Sequence, residues 1–278
     1  MLGCPLHLNT NGTLLTLRRC EAIVPYLETA TVSLDGSTPG VHDALAGRPG
    51  AFRRVLEGVE RLQRAGLERI ILSATVCRQN LADLPGIIGL AQALGVDFSF
   101  SYLIPRGRAN LCPGPVAVTD REEYELEERL WRKCLELGFP QYPEHPFYKS
   151  WVRHARLRCP ADTSLYILPD GAMYPCPGLA DKEPYYLGNI HRLDDLKGLM
   201  ATSPVRERLS ALHVDDNPRT PECAACEVRH FCGGSCLGRD VTPEGCHWIR
   251  ERLRQRLWQF QEGQSLAANV EAMFGDRA

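Results

Sequence analysis

Residues 70–102 read IILSATVCRQNLADLPGIIGLAQALGVDFSFSY, a strand, a helix and a second strand in succession. Ile70 to Thr75 is an aliphatic run of strand length. Leu84, Ile87, Ile88, Ala91 and Leu94 recur at helical spacing and stop at Gly95. Val96, Phe98, Phe100 and Tyr102 then alternate strictly with Asp97, Ser99 and Ser101, which gives a strand two unlike faces. The same rhythm continues toward the N-terminus. Pro5–Thr10 reads as a short strand, Leu14–Leu27 as a helix and Thr29–Asp35 as a second strand. Phe52, Val55, Leu56, Val59 and Leu62 mark a further helix before Gly66. Strands alternating with helices specify an α/β fold with a parallel sheet and right-handed crossovers, whose functional loops gather at the strand C-termini.

Those loops hold the polar signatures. They are Thr10-Asn11-Gly12-Thr13, Ser33-Leu34-Asp35-Gly36 with His42-Asp43, Asn80, and Pro105-Arg106-Gly107-Arg108. Taken singly, Asn-Gly and Asp-Gly are common turns, Asp43 is a candidate helix cap, Arg108 a candidate exposed charge and His42 a satisfied loop residue. Their arrangement at one rim is what gives them weight.

The chain has 278 residues, 44% hydrophobic and 24% charged, enough for one large core and a satellite domain. A formal net charge of −2 gives no general attraction to nucleic acid. No stretch approaches the ~18 consecutive apolar residues of a membrane span, and no secretory leader follows Met1, so a cytoplasmic, reducing compartment is expected. Arg250, Arg252, Arg254 and Arg256 accompany Ile249, Leu253, Leu257 and Phe260 at helical spacing, and read as a solvated helix face. Glu122, Glu123, Glu125, Glu127 and Glu128 interleave with Tyr124, Leu130, Trp131, Cys134 and Leu137, and read the same way. Residues 142–151, rich in aromatics and prolines, show no periodicity.

Cysteine carries the chemistry. Five sulfurs run C-x2-C-x5-C-x3-C-x9-C through Cys223, Cys226, Cys232, Cys236 and Cys246, and two more bracket a turn from Cys159 through Gly171 to Cys176. Thiolates suit zinc or iron–sulfur clusters, and Cys-Ala-Ala-Cys brings two to one centre. Buried thiols scatter without a spacing rule, whereas these sit beside Gly233, Gly234, Pro160, Pro175 and Pro177 in segments of little apolar periodicity. Disulfides suit a secreted chain. Cys4, Cys20, Cys77, Cys112 and Cys134 share no motif and read as packing residues, while His230 and His247, beside the cysteines, read as exposed loop residues. Gly171 suits a tight turn, and Gly233-Gly234 lets backbone fold around a bulky group.

In this order, Thr-Asn-Gly-Thr, Ser-Leu-Asp-Gly, His-Asp, Gly-Ala-Phe, the Ile-Pro-Arg-Gly-Arg loop and the seven cysteines resemble radical S-adenosylmethionine (radical SAM) enzymes with a C-terminal SPASM domain, over residues 5–250. The resemblance implies a partial (β/α)6 TIM-like barrel at 1–104 lacking its first two units, a bridging region at 105–158, a small loop-rich iron–sulfur domain at 159–247, and a C-terminal helix and tail at 248–278. It divides the sulfurs between two auxiliary 4Fe-4S clusters. Cys223, Cys226, Cys232 and Cys246 would hold one, and Cys159, Cys176 and Cys236 the other, its fourth position open or otherwise filled. Thr10, Asn11, Gly12, Ser33, Asp35 and Arg108 would contact S-adenosylmethionine.

The resemblance also exposes an absence. The family's C-x3-C-x2-C triplet, which holds the cluster that cleaves S-adenosylmethionine, is not in this sequence, nor is its Gly-Gly-Glu-Pro loop. The expectation is therefore an N-terminally truncated chain that is inactive alone, with no assignable catalytic residue. For the intact enzyme the resemblance implies a peptide maturase acting on a ribosomally made peptide, with a ferredoxin or flavodoxin as electron donor. Formylglycine-making relatives carry an acidic residue where this chain has Pro177. The alternatives are an enzyme acting on a tetrapyrrole, a structural zinc module, and a non-catalytic electron-transfer partner.

Overall fold

β1 (His7–Thr10), β2 (Thr29–Ser33), β3 (Ile70–Val76) and β4 (Asp97–Tyr102) lie side by side in chain order, all parallel. Register aligns Thr10 with Val32, Val32 with Leu72 and Leu72 with Phe98. The computed structural model describes residues 5–104, 109, 111, 116–139, 160–180, 182–216, 218–239 and 241–275. Ala30, Val32, Ile70, Leu72, Ala74 and Val76 are buried, so the aliphatic runs of the sequence form the middle of the sheet.

Helices α1 (Leu17–Ile23), α2 (Pro39–Ala46), α3 (Ala51–Arg64) and α4 (Leu84–Leu94) provide the crossovers. α3 buries Val55, Val59 and Leu62, and α4 buries Leu84, Ile87, Ile88 and Ala91. Two local readings change. The helix expected over 14–27 is shorter, because the Thr16 side chain accepts from Arg19 N and sets its start, and Pro25 falls in a tighter turn beyond its end. α2 replaces an expected loop, bounded by Thr38 as its cap, Pro39 in its first turn and left-handed Gly47 at its end.

α5 (Asp120–Glu136) opens with a capping box between Thr119 and Glu122 and buries Tyr124, Leu126, Leu130, Trp131 and Cys134. Glu123 and Glu127 are buried with them, against the expectation of a solvated acidic face. They lie four residues apart, in line with Leu130 and Cys134, so they share the stripe that faces inward.

These elements form one compact unit, residues 1–151 with 261–278; a second spans residues 152–260. The second unit has an antiparallel sheet of β5 (Tyr166–Ile167), β6 (Ala172–Tyr174) and β7 (Gly188–Asn189). Gly171 makes the β5–β6 turn at φ 85°, and a Cβ there would sit 2.5 Å from the His191 ring. Helices α6 (Leu196–Thr202), α7 (Pro204–Ser210) and α8 (Pro243–Arg254) follow. Among its described residues one small apolar cluster joins Ala161, Leu179 and Leu209 and another joins Ala172, Tyr174 and Ala180. A last helix, α9 (Leu266–Phe274), belongs to the first unit. No helix among the described residues is long and apolar enough to cross a membrane.

Candidate functional site

Four of the seven motif cysteines line one cavity of about 50 Å³ in the second unit: Cys223, Cys226, Cys232 and Cys246. That is several times the roughly 10–15 Å³ needed by one water on the same measure. Cys223 and Cys226 sit on a tight turn closed by Cys226 N donating to Cys223 O at 3.2 Å. Thr220 begins that turn, its Oγ1 3.5 Å from Cys223 Sγ. Cys246 enters on the first turn of α8, where Thr242 Oγ1 accepts from Gly245 N at 3.0 Å.

Cys232 ends a single helical turn, and the next three residues, Gly233, Gly234 and Ser235, all have positive φ, of 62°, 77° and 67°. Ser235 is the one described non-glycine residue in that region. Within this run Ser235 N donates to Cys232 O at 3.3 Å. Burial pushes the Cys232 and Cys246 thiols up, and charge on Cys223 and Cys226 pushes the same way. A cation in the cavity would offset that opposition and favour the thiolates of Cys232 and Cys246.

Cys176 and Cys236 meet elsewhere in the same unit. Both sulfurs lie within 4.0 Å of the point that a Cβ on Gly178 would occupy. A Cβ on Gly238 would fall 2.8 Å from Gly178 O and 3.4 Å from Cys236 Sγ, so the paired glycines keep open a gap beside two sulfurs. Gly238 N donates to Cys236 Sγ at 3.3 Å. Cys159, the third sulfur of that expected set, lies outside the described residues. Among the described residues no three Cys, His, Asp or Glu side chains converge tightly enough for a single metal ion.

None of the described cysteines is in a disulfide. Cys20, Cys77 and Cys134 are buried as packing residues, and burial pushes the Cys134 thiol up to about 12. Cys4 and Cys112 lie outside the described residues. His230 is partly exposed, with Nε2 2.9 Å from Asp215 Oδ1, and His247 stacks edge-on to Trp248.

The polar rim forms in the first unit at the ends of β1, β2 and β3. Thr10 Oγ1 accepts from Gly12 N at 3.1 Å, and Asn11 Oδ1 accepts from Thr13 N at 3.2 Å. Gly12 has φ 70°, and its carbonyl is approached so closely by α3 that a Cβ on Gly58 would sit 2.5 Å away. Ser33 closes β2. Asp35 Oδ1 accepts from Thr75 N at 2.7 Å, and Asp35 N donates to His42 Nδ1 at 3.1 Å. Fully buried Asn80 joins both strands, donating to Asp35 O and Thr75 O at 2.9 Å each and accepting from Cys77 N at 2.9 Å. A second cavity of about 190 Å³ opens here, lined in part by Asp35, Thr75, Cys77 and Gln79. Arg108 lies outside the described residues.

The structure changes what two residues do. His42 is a buried helix residue instead of a loop residue, and Asp43 reaches beyond its own helix to accept from Gly50 N and from Phe52 N, capping α3. Periodicity places Arg250 on a solvated helix face, yet it lines the four-thiol cavity. The signal was present, because Cys246 and Arg250 are four residues apart on one helix.

Residues 2–91 match the radical SAM superfamily, and residues 159–227 match the SPASM iron–sulfur cluster-binding domain. Over 268 residues the chain is 36% identical to an AdoMet-dependent heme synthase of Methanosarcina barkeri, covering 87% of this chain and 72% of that protein. The chain belongs to the radical SAM enzymes with a C-terminal SPASM domain. A mycofactocin maturase of Mycobacterium tuberculosis is 24% identical over 238 residues, 82% of this chain and 58% of that protein. The fold is also that of native anSMEcpe solved with bound AdoMet and a Cp18Cys peptide, at TM-score 0.65 and 14% identity, covering 88% of this chain and 71% of that one. The parallel sheet thus resembles the partial barrel of radical SAM proteins, and the small antiparallel region their SPASM domain. None of these likenesses supports the expectation of an inactive chain.

Proposed function

We propose that this radical SAM protein acts on a tetrapyrrole. The observation that carries the reading is the likeness to a heme synthase along 87% of the chain, at higher identity and wider coverage than the likeness to the maturase. It reverses the order expected from sequence, in which a ribosomally made peptide came first. The peptide reading stands second, favoured by the maturase and by the peptide-bound structure of the same fold.

The donor sets suit the cofactors of the family. A cavity walled by four thiols suits an inorganic group larger than one ion, and we assign Cys223, Cys226, Cys232 and Cys246 to one 4Fe-4S cluster. Cys176 and Cys236, with Cys159, would hold the other, in the gap that Gly178 and Gly238 leave open. Such auxiliary clusters would supply one-electron transfer when bound, whereas hydrogen-atom abstraction through S-adenosylmethionine belongs to the cluster of the C-x3-C-x2-C triplet, which is not in this sequence. The chain's own part is to position and to exclude water. Thr10, Asn11 and Gly12 form a rigid turn, and Asp35 is fixed from three sides by Thr75, His42 and Asn80, so that this rim presents fixed polar groups to the ligand. Arg108 belongs to the same proposed set. A small electron-transfer protein, a ferredoxin or a flavodoxin, is the proposed donor.

Titration of the anaerobically reconstituted chain with an iron porphyrin tests the substrate class. A saturable shift of the porphyrin absorption band near one equivalent is expected. A shift that grows without saturating, or none at all, would overturn the tetrapyrrole reading.

A further inference from the structure

Helix α8 turns Cys246, Ile249 and Arg250 into the four-thiol cavity, Arg250 one turn after Cys246. Arg254, a further turn on, has carboxylate partners, with Nε 2.5 Å from Glu227 and Nη1 3.0 Å from Glu251. Arg250 feels the Glu227 charge as well, but its Nε is buried and has no hydrogen-bond partner among the described residues. Of the other charged walls, Arg229 pairs with Asp215 at 2.8 Å.

A buried guanidinium N–H without an acceptor is costly, and such a group in a native fold marks a missing partner. The cavity's four thiols define that partner as an anion. A 4Fe-4S cluster with four thiolates is a dianion when oxidised and a trianion when reduced.

We propose that Arg250 compensates the charge of the cluster held by Cys223, Cys226, Cys232 and Cys246, donating Nε–H toward its sulfur and raising its reduction potential. The proposal rests on the cluster assignment above. A fixed cation attracts the trianion more strongly than the dianion, so it favours the reduced form. Only an electron is transferred, from the external donor protein to the cluster, and Arg250 keeps its proton throughout.

The test is a redox titration followed by electron paramagnetic resonance, on the full chain reconstituted with iron and sulfide. A Cys236→Ala background, with iron and sulfide content measured to show that the four-cysteine cluster is filled, leaves that site as the one read. Arg250→Met should lower the reduced-to-oxidised ratio at a fixed poise about tenfold, which is 59 mV for a one-electron couple. Arg250→Lys should restore most of it. Loss of iron and sulfide from Arg250→Met but not from Arg250→Lys would also support the proposal, because the anion then needs the charge to be held. Unchanged midpoints at equal cluster content, or equal shifts in both variants, would overturn it. Absence of acid-labile sulfide in the chain with Arg250 intact would refute the cluster assignment itself, a result visible before any Arg250 substitution is made.

Discussion

His42 accepts a hydrogen bond from Asp35 N through Nδ1, so its proton sits on Nε2 and the ring is neutral in the fold. Burial lowers its pKa below the ordinary 6.5, against the opposing pull of Asp35 and Asp43. Because the native value is the lower one, the unfolded chain takes up a proton first as the pH falls. Stability should therefore decline as the pH drops below about 6.5 and level off beneath the depressed native value. In His42→Gln, whose amide oxygen can still accept, that component should vanish. Denaturant titrations of both proteins across this range check it; parallel curves would count against the assignment. At this scale the sequence was most informative about sulfur, whose ligand spacing is fixed by covalent reach. It was least informative about residues such as Gly178 and Gly238, whose value lies in an approach between segments sixty residues apart.

Between elements, the joint at Asn80 matters most. One side chain satisfies the Cys77 amide and the carbonyls of Asp35 and Thr75, tying the end of β2 to the end of β3 where the rim begins. Asn80→Ala should destabilise the protein by about 2 kcal/mol or more, because each buried polar group left unpaired costs roughly 1–3 kcal/mol. Urea unfolding measures this, and a loss below about 0.5 kcal/mol, the range of neutral surface changes, would refute it. The strands and α3 and α4 were legible because their apolar period is long and clean. α2 was hidden although Thr38, Pro39 and Gly47 bound it, since only His42 is buried on it and an eight-residue helix shows little stripe. The acidic run of α5 misled for the opposite reason, its charge pattern concealing that Glu123 and Glu127 share the line of the apolar residues.

Across the whole molecule, the two units differ in what holds them. The first has a four-stranded sheet with packed helices, whereas among the described residues of the second the apolar clusters centre on three buried residues each. Under the proposed cluster assignment, inorganic ligation would contribute a larger share of folding in the second unit. Treating the reconstituted chain with a strong iron chelator should open residues 160–260 to protease while the sheet of the first unit stays protected. Cleavage at equal rates in both units, or no change on chelation, would refute this. A colourless preparation that holds zinc and lacks acid-labile sulfide would favour the zinc alternative instead.

The left-handed run at 233–235 keeps Cys232 and Cys236 four residues apart while sending one sulfur to the four-thiol cavity and the other to the glycine gap. Under the proposed assignment so short a leash would make filling of the two compartments interdependent: whichever received its inorganic core first would fix a wall of its neighbour, so that the opening event seeds the next.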